Sequence, residues 1–210
     1  MNLVVLGATG RTGQLVVEQA LGAGDTVTAL VRSPEKLTIR NSNLRVVAGK
    51  ATDSGDVARA MVGADAVIST LGGSGSVIAD STGAIVEAAH KTGVKRVVVL
   101  SSFLVERNRM GVLSRMITGV TMGSVIKDKT TGEQLLRQSD LDWTICYPGP
   151  LTDAPATGSV EVLPEGTKRR ISEKISRADV AGWLVEAATS PETSRRGIDI
   201  TGRAQTKEAS

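Results

Sequence analysis

The chain has 210 residues, a net charge of +3, four aromatic residues and a single cysteine. Its length suits one domain spanning 1–210 that buries about 70% of its unfolded surface, so no metal or disulfide is needed to hold a core. One cysteine excludes an internal disulfide, and a mild basic excess without stacking aromatics argues against nucleic-acid binding.

The predicted elements alternate. "NLVVL" reads as a buried strand and "RTGQLVVEQALGAG" as an amphipathic helix. "TVTALV" and "NLRVVAG" are further strands, followed by a helix from Ser54 to Met61 and the strand "DAVIST". A helix from Ile78 to His90 leads to the strand "RVVVLSS". A Gly- and Met-dotted region, Asn108 to Met122, precedes a helix ending near Ser139 and the strand "DWTICYPG". Continuous Val/Ile/Leu runs alternating with helices predict an α/β fold: a doubly wound, mostly parallel Rossmann-type sheet. Beyond Pro150 the rhythm changes to a predicted hairpin ("GSVEVL" with "RRISEKI"), a helix from Arg177 to Thr189 and a last strand "GIDITG". Residues of about 150–203 thus form a small C-terminal, substrate-side extension, and 204–210 read as a disordered tail. The tight basic triplet Lys168, Arg169 and Arg170 reads as a solvated turn. The apolar segment "GVLSRMITGVTMGSVI" is too short to span a bilayer and carries Arg115, and no signal sequence is evident, so a cytoplasmic protein without membrane association is expected.

Gly7, Gly10 and Gly13 lie between the first strand and the first helix. There, backbone N–H groups and the helix dipole face outward together, and glycine lets a pyrophosphate lie against the main chain. A dinucleotide site is the reading. The end of the second strand selects among dinucleotides. An acid at that place binds the free ribose of NAD, but "LVRSPEKL" offers Arg32 and, a turn later, Lys36. Cations there grip a 2′-phosphate, so NADP(H) is the expected cofactor.

"GATGRTG", "LVRSPEKL", "VISTLGG", "VVVLSSFLV" and "LDWTICYPGPLTD", continuing through "ISRADVAGWLVEA", resemble atypical short-chain dehydrogenases of the NmrA-like group, in particular its flavin, quinone and biliverdin reductases. The resemblance implies that Gly7, Thr9, Gly10, Arg11, Thr12 and Gly13 cradle the pyrophosphate. Arg32 and Lys36 would hold the 2′-phosphate, Thr70, Leu71 and Gly72 would lie along the cofactor, and Ser101 and Ser102 would sit beside the nicotinamide. Where the group carries an aspartate near the adenine, this chain has Lys50, which leaves the backbone of Lys50 and Ala51 for that contact.

The tyrosine acid of ordinary short-chain dehydrogenases stands four residues before a lysine. In "SVIKDKTTGEQLLRQS" the lysine is Lys129 and the tyrosine position is Val125. Lys129 either bonds the nicotinamide ribose or pairs with Glu133 on the helix surface. Without a positioned acid, the expected acceptor is a conjugated one (a flavin, quinone or biliverdin-like tetrapyrrole), which spreads the arriving charge. It would stack over Leu71, Ser102 and a face built by Tyr147, Pro148 and Gly149 and running on to Leu151. Ser102 is the candidate catalytic residue, donating to the developing anion; its alternative is a strand-end serine bonded to backbone. An NADP(H)-binding redox sensor without turnover is the rival reading, and a monomer or homodimer fits either. Met110, Met116 and Met122 are candidates for a cover over the acceptor or for ordinary packing. One histidine and one cysteine argue against a zinc site. His90 reads as a helix-surface residue and Cys146 as core filler. Asp53 reads as a helix cap, and Ser176 with Asp179 as a capping box.

Overall fold

The structure, a computed structural model, describes residues 1–73, 75–105, 112–168 and 172–202, with the backbone alone between 112 and 122. Strands β1 (Asn2–Leu6), β2 (Thr26–Val31), β3 (Leu44–Ala48), β4 (Ala66–Ser69), β5 (Arg96–Leu100) and β6 (Asp142–Pro148) alternate with helices. These are α1 (Arg11–Gly22), α2 (Ser54–Met61), α3 (Val77–Thr92) and α4 (Val112–Gln138). After them come β7 (Leu151–Thr152), β8 (Val160–Val162), β9 (Ile175–Ser176), α5 (Arg177–Thr189) and β10 (Arg196–Gly202). The main sheet runs β3-β2-β1-β4-β5-β6-β10-β8, parallel except for β8. This is the doubly wound α/β fold expected from the sequence.

Helices cover both faces, which is why the strands are apolar at consecutive positions. Leu3 and Val5 point into one layer with Val16, Ala20, Val180 and Leu184 of α1 and α5. Val4 and Leu6 point into the other, with Val57, Met61, Ile85 and Leu136 of α2, α3 and α4. The chain moves from β1 to β2 on one side and reaches β4 on the other. The order therefore reverses beside β1, and a crevice opens at the carboxyl ends of the strands there.

Residues 169–171, in the second arm of the expected hairpin, lie outside the described residues. β8 pairs antiparallel with β10 (Val162 opposite Ile200), while β9 pairs parallel with β7 (Leu151 opposite Ile175). By pairing there, β8 covers an edge of β10 whose backbone ladder would otherwise stay open. Arg169 and Arg170 of the basic triplet, Met110 and the 204–210 tail lie outside the described residues. One expectation is corrected: α4 begins at Val112, inside the stretch expected to be irregular. The side chains of Arg115, Met116 and Met122, and with them the cover or packing role read for the methionines, lie outside the described ones. Thr118, Gly119 and Thr121, all weak helix formers, hide this first part of the helix in the sequence. A Cβ on Gly132 would stand 3.0 Å from Thr82 Oγ1 and 3.3 Å from the Ile78 carbonyl oxygen, so glycine lets α4 close on α3. Among the described residues no helix is long and apolar enough to cross a membrane.

Both predicted caps are present. Asp53 accepts the Asp56 N–H at 2.9 Å. Ser176 Oγ accepts the Asp179 N–H at 2.9 Å and donates to the Asp179 carboxylate at 2.7 Å. Asp179 does more than cap. It also accepts from the N–H groups of Thr157 and Gly158 and from the Thr157 hydroxyl, pinning the chain that leads into β8. Burial alone would raise this carboxyl, but the bonds from Ser176, Thr157 and Gly158 outweigh it and hold it below the usual carboxylate range. A depressed folded-state value means stabilisation above the unfolded value that is lost as pH falls through the folded one. The difference in urea midpoint between wild type and Asp179→Asn is accordingly expected to be largest near neutrality and to shrink in acid below about pH 4.

Candidate functional site

The turn after β1 is built around contacts within the chain. Gly7 has φ +84°, and a Cβ there would stand 2.8 Å from Thr70 Oγ1. Thr70 in turn bonds the Leu6 carbonyl through its N–H at 2.9 Å and its hydroxyl at 3.1 Å. A Cβ on Gly13 would meet the Gly7 carbonyl oxygen at 2.1 Å. Two of the three glycines are therefore needed for the fit of the chain to itself. Gly10 differs: its Cβ would meet only the Gly7 oxygen, at 3.2 Å. It is the N-cap of α1, has no side-chain cap, and no acid follows in the first turn, so the helix presents its first amides and its positive end outward. Thr12 and Gly13 are buried, Thr9 is half-buried and Arg11 is exposed. Arg11 forms an ion pair with Asp153, which also binds Arg177 at 2.6 Å.

A cleft of about 350 Å³ runs from this turn across the ends of β2, β3 and β4. Gly7, Thr9 and Gly10 line it with Arg32, Lys50, Ala51, Thr70, Leu71 and Gly72. Among the described residues its lining holds two cations and no carboxylate. The cations are Arg32 and Lys50, where the sequence had suggested Arg32 and Lys36. Register explains the difference. Val31 lies opposite Ala48, and the Gly49 N–H bonds the Val31 carbonyl at 3.0 Å, which brings the residues after β2 and β3 side by side. Pro34 starts a 3-10 turn that carries Lys36 away, exposed and off the lining. The Lys50 N–H is engaged by the Asp56 carboxylate at 2.7 Å, so that backbone donor, proposed for the adenine from the sequence, is already used. Free backbone amides, a positive helix end and paired cations fit a phosphorylated dinucleotide.

A second cleft, of about 310 Å³, lies at the ends of β5 and β6. It is lined by Ser101, Ser102, Phe103, Leu104 and residues 148 to 151. Ser102 is half-buried and its Oγ accepts the Leu104 N–H at 3.3 Å. Pro148 and Gly149 stand on the wall as expected; the Tyr147 ring does not. Alternation along β6 sends Cys146 to the α5 layer and Tyr147, with Ile145 and Trp143, to the α4 layer. Tyr147 is 1% exposed, donates its hydroxyl hydrogen to Glu133 and accepts from Arg137 at 2.9 Å.

The surface pair expected for Lys129 is absent as such. Glu133 is buried and bonded to Ser101 and Tyr147, while Lys129 Nζ donates to the Leu100 carbonyl at 3.3 Å. Burial draws the lysine ammonium below its ordinary value, against the pull of Glu133 and Asp128. Asp128 was missed in the sequence. Its carboxylate accepts the N–H groups of Ile78 and Ala79, each at 2.9 Å, and so caps α3 from α4, next to Val77 on the lining of the cleft of about 350 Å³. Cap and helix are about fifty residues apart, so no local pattern marks the pair. His90 lies in the last turn of α3, pairing with Asp140 at 2.8 Å, and Cys146 is buried in the core, both as read from the sequence.

A family profile described as NAD(P)H-binding matches residues 7–191. The chain is 34% identical over 224 residues, covering all of this chain and 79% of the relative, to a chloroplastic protein of Arabidopsis thaliana described as uncharacterized. Among solved structures it is similar to an anaerobilin reductase from Escherichia coli O157:H7, with TM-score 0.82 and 25% identity over 98% of this chain and 99% of that one. It is also similar, with TM-score 0.82 and 20% identity over 97% and 95% of the two chains, to a short-chain dehydrogenase/reductase from Veillonella parvula in complex with NADP. At that identity the likeness is one of fold.

Proposed function

This chain belongs to the NAD(P)H-binding family of Rossmann-type oxidoreductases, and from that premise we propose that it is an NADPH-dependent reductase of flat, conjugated acceptors such as flavins, quinones or tetrapyrroles. The observation that carries the reading is the make-up of the acceptor cleft. Two serine hydroxyls, Phe103, Leu104 and the Pro148–Leu151 wall shape an apolar slot, and the tyrosine is turned away from it.

Residues 9 to 13 would hold the pyrophosphate, Arg32 and Lys50 the 2′-phosphate, and Leu71 and Gly72 would lie along the cofactor towards Ser101. When bound, the reduced nicotinamide supplies a hydride. The protein's own part is to orient the acceptor and exclude water from it. Phe103, Leu104 and Leu151 offer apolar surface to a planar ring system, and Ser102 can turn its hydroxyl hydrogen towards charge that develops on it. An aliphatic ketone would need more, since reduction to an alkoxide leans on a placed acid worth about 10²–10⁴-fold.

Purified protein is expected to oxidise NADPH with flavin mononucleotide, a quinone or biliverdin and to leave simple ketones untouched. Turnover of ketones alone would refute the acceptor class. Tight NADPH binding with no turnover of any acceptor would favour a redox sensor.

A further inference from the structure

The cleft offers no tyrosine to protonate the acceptor, yet a chain of hydrogen bonds ends at its floor. Ser101 Oγ donates to Glu133 Oε1 at 2.5 Å, and Tyr147 Oη donates to Glu133 Oε2. Arg137 Nη2 donates to Tyr147 Oη at 2.9 Å while its guanidinium stacks 4.8 Å from the centre of the Trp143 ring. The two ends of this chain reach different spaces. Ser101 is on the lining of the acceptor cleft. Glu133 and Tyr147 are on the lining of a separate, polar pocket of about 480 Å³ between α4 and β10, which Arg137 and Asp199 also line.

We propose that Ser101, Glu133 and Tyr147 form a proton relay that carries a proton from the α4–β10 pocket to the acceptor cleft, with Ser101 as the group that hands it over. The inference rests on the reading of that cleft as the acceptor site.

The partners of Glu133 argue for transfer as well as structure. Among the described residues no backbone amide bonds the Glu133 carboxylate. Lys129, one turn earlier on the same helix, instead donates to Leu100. Both groups bonded to Glu133 are hydroxyls, which donate and accept and so pass a proton along. Space for the outer end depends on Gly197, where a Cβ would come within 2.9 Å of Tyr147 Cε2 and 3.2 Å of Arg137 Nη2. Burial also lifts the Glu133 carboxyl above its ordinary range, against the bonds from Ser101 and Tyr147 and the charges of Arg137 and Lys129. Other groups facing the network are Asp128 on α4, Asp199 on β10 and Glu165 in the loop after β8.

The step balances. Hydride addition brings the acceptor two electrons and leaves it one proton short. With both hydroxyls donating to it, Glu133 is a carboxylate at rest. Once it is protonated, Ser101 turns its hydrogen to an acceptor heteroatom, and that O–H bond breaks as Glu133 gives its own hydrogen to Ser101 Oγ. Glu133 is recharged in one concerted movement, taking the Tyr147 hydroxyl hydrogen as hydronium in the outer pocket delivers another to Tyr147 Oη. A free tyrosinate is disfavoured, because burial and the neighbouring Glu133 raise the phenol well above its ordinary range. One NADPH and one proton are consumed for each acceptor reduced. Ser102, bonded to the Leu104 N–H with no acid behind it in this network, steadies the anion and does not resupply it.

Two measurements test the relay. In cofactor-free protein, isotope-edited infrared titration, with Glu133→Gln identifying the band, should show Glu133 titrating above the ordinary carboxylate range and higher still in Ser101→Ala and Tyr147→Phe. In turnover, Glu133→Gln should keep NADPH affinity and acceptor KM within about twofold while kcat falls about 100-fold. Wild-type kcat should decline as pH rises through the Glu133 titration, and this decline and the solvent deuterium isotope effect should vanish in the variant. Tyr147→Phe, which alters only the outer end, should lower kcat about tenfold with the same pH signature. Wild-type kcat and pH profile in either variant, with NADPH affinity intact, would overturn the relay and leave the reductase reading standing. A wild type that binds NADPH but reduces no acceptor would overturn both.

Discussion

Gly13→Ala is expected to raise the Kd for NADPH at least about 100-fold, which is about 2.7 kcal/mol of binding, and to destabilise the cofactor-free protein by about 1–3 kcal/mol. Propensity alone predicts the opposite sign, because alanine in a helix is favoured over glycine by about 1 kcal/mol. Sterics decides. The added carbon would stand 2.1 Å from the Gly7 carbonyl oxygen, 2.7 Å from its carbon and 2.8 Å from Thr70 Oγ1, none of them the free end of a long side chain. Gly7 has no room to retreat, being packed against Thr70 at φ +84°. The turn must open, and the amides of α1 move with it. Gly10→Ala is the control. Its carbon would meet only one atom, at 3.2 Å, and its backbone at φ −79° and ψ 162° suits alanine. Stability there is expected to stay within about 0.5 kcal/mol, so any loss of affinity reports on room for the ligand and not on packing. Denaturant midpoints and fluorescence titration with NADPH measure both quantities. Unchanged affinity in Gly13→Ala would refute the turn as the pyrophosphate site.

Arg32→Glu is expected to weaken NADPH binding about 100-fold or more while changing NADH affinity by less than about threefold. Loss of a charge-assisted bond to the 2′-phosphate contributes about 1.5–3 kcal/mol, or roughly ten- to a hundredfold, and the new carboxylate adds repulsion. With the free ribose of NADH the same carboxylate becomes a hydrogen-bond acceptor, which limits the loss. Lys50→Ala should shift the preference in the same direction by a smaller factor, since lysine acts as a single charge where arginine offers a planar fork. Lys36→Ala should leave both affinities unchanged, because its side chain stands off the cleft lining. Equal weakening of both cofactors in Arg32→Glu would place the 2′-phosphate elsewhere.

Short windows of the sequence already held most of the scaffold. Apolar runs of four to six residues alternating with helical periods specify a sheet covered on both sides, and β1 to β6 emerge at the expected places. The Gly7–Gly13 spacing, the cation at Arg32 and the valine at 125 are likewise local facts, as are the caps at Asp53 and Ser176. Side-chain placement on β6 was less legible: one residue of parity separates a tyrosine beside the acceptor from a tyrosine bonded to Glu133.

Residues within a few positions of one another thus suffice for the order of the strands, the glycine turn after β1 and the valine four residues before Lys129. Folding in three dimensions is what stands Lys50 with Arg32, joins β8 to β10, caps α3 with Asp128 and gathers Ser101, Glu133 and Tyr147 into one buried network. Strand register, side-chain parity and helix packing set these neighbours across dozens of residues, and such terms leave no periodic trace in the chain.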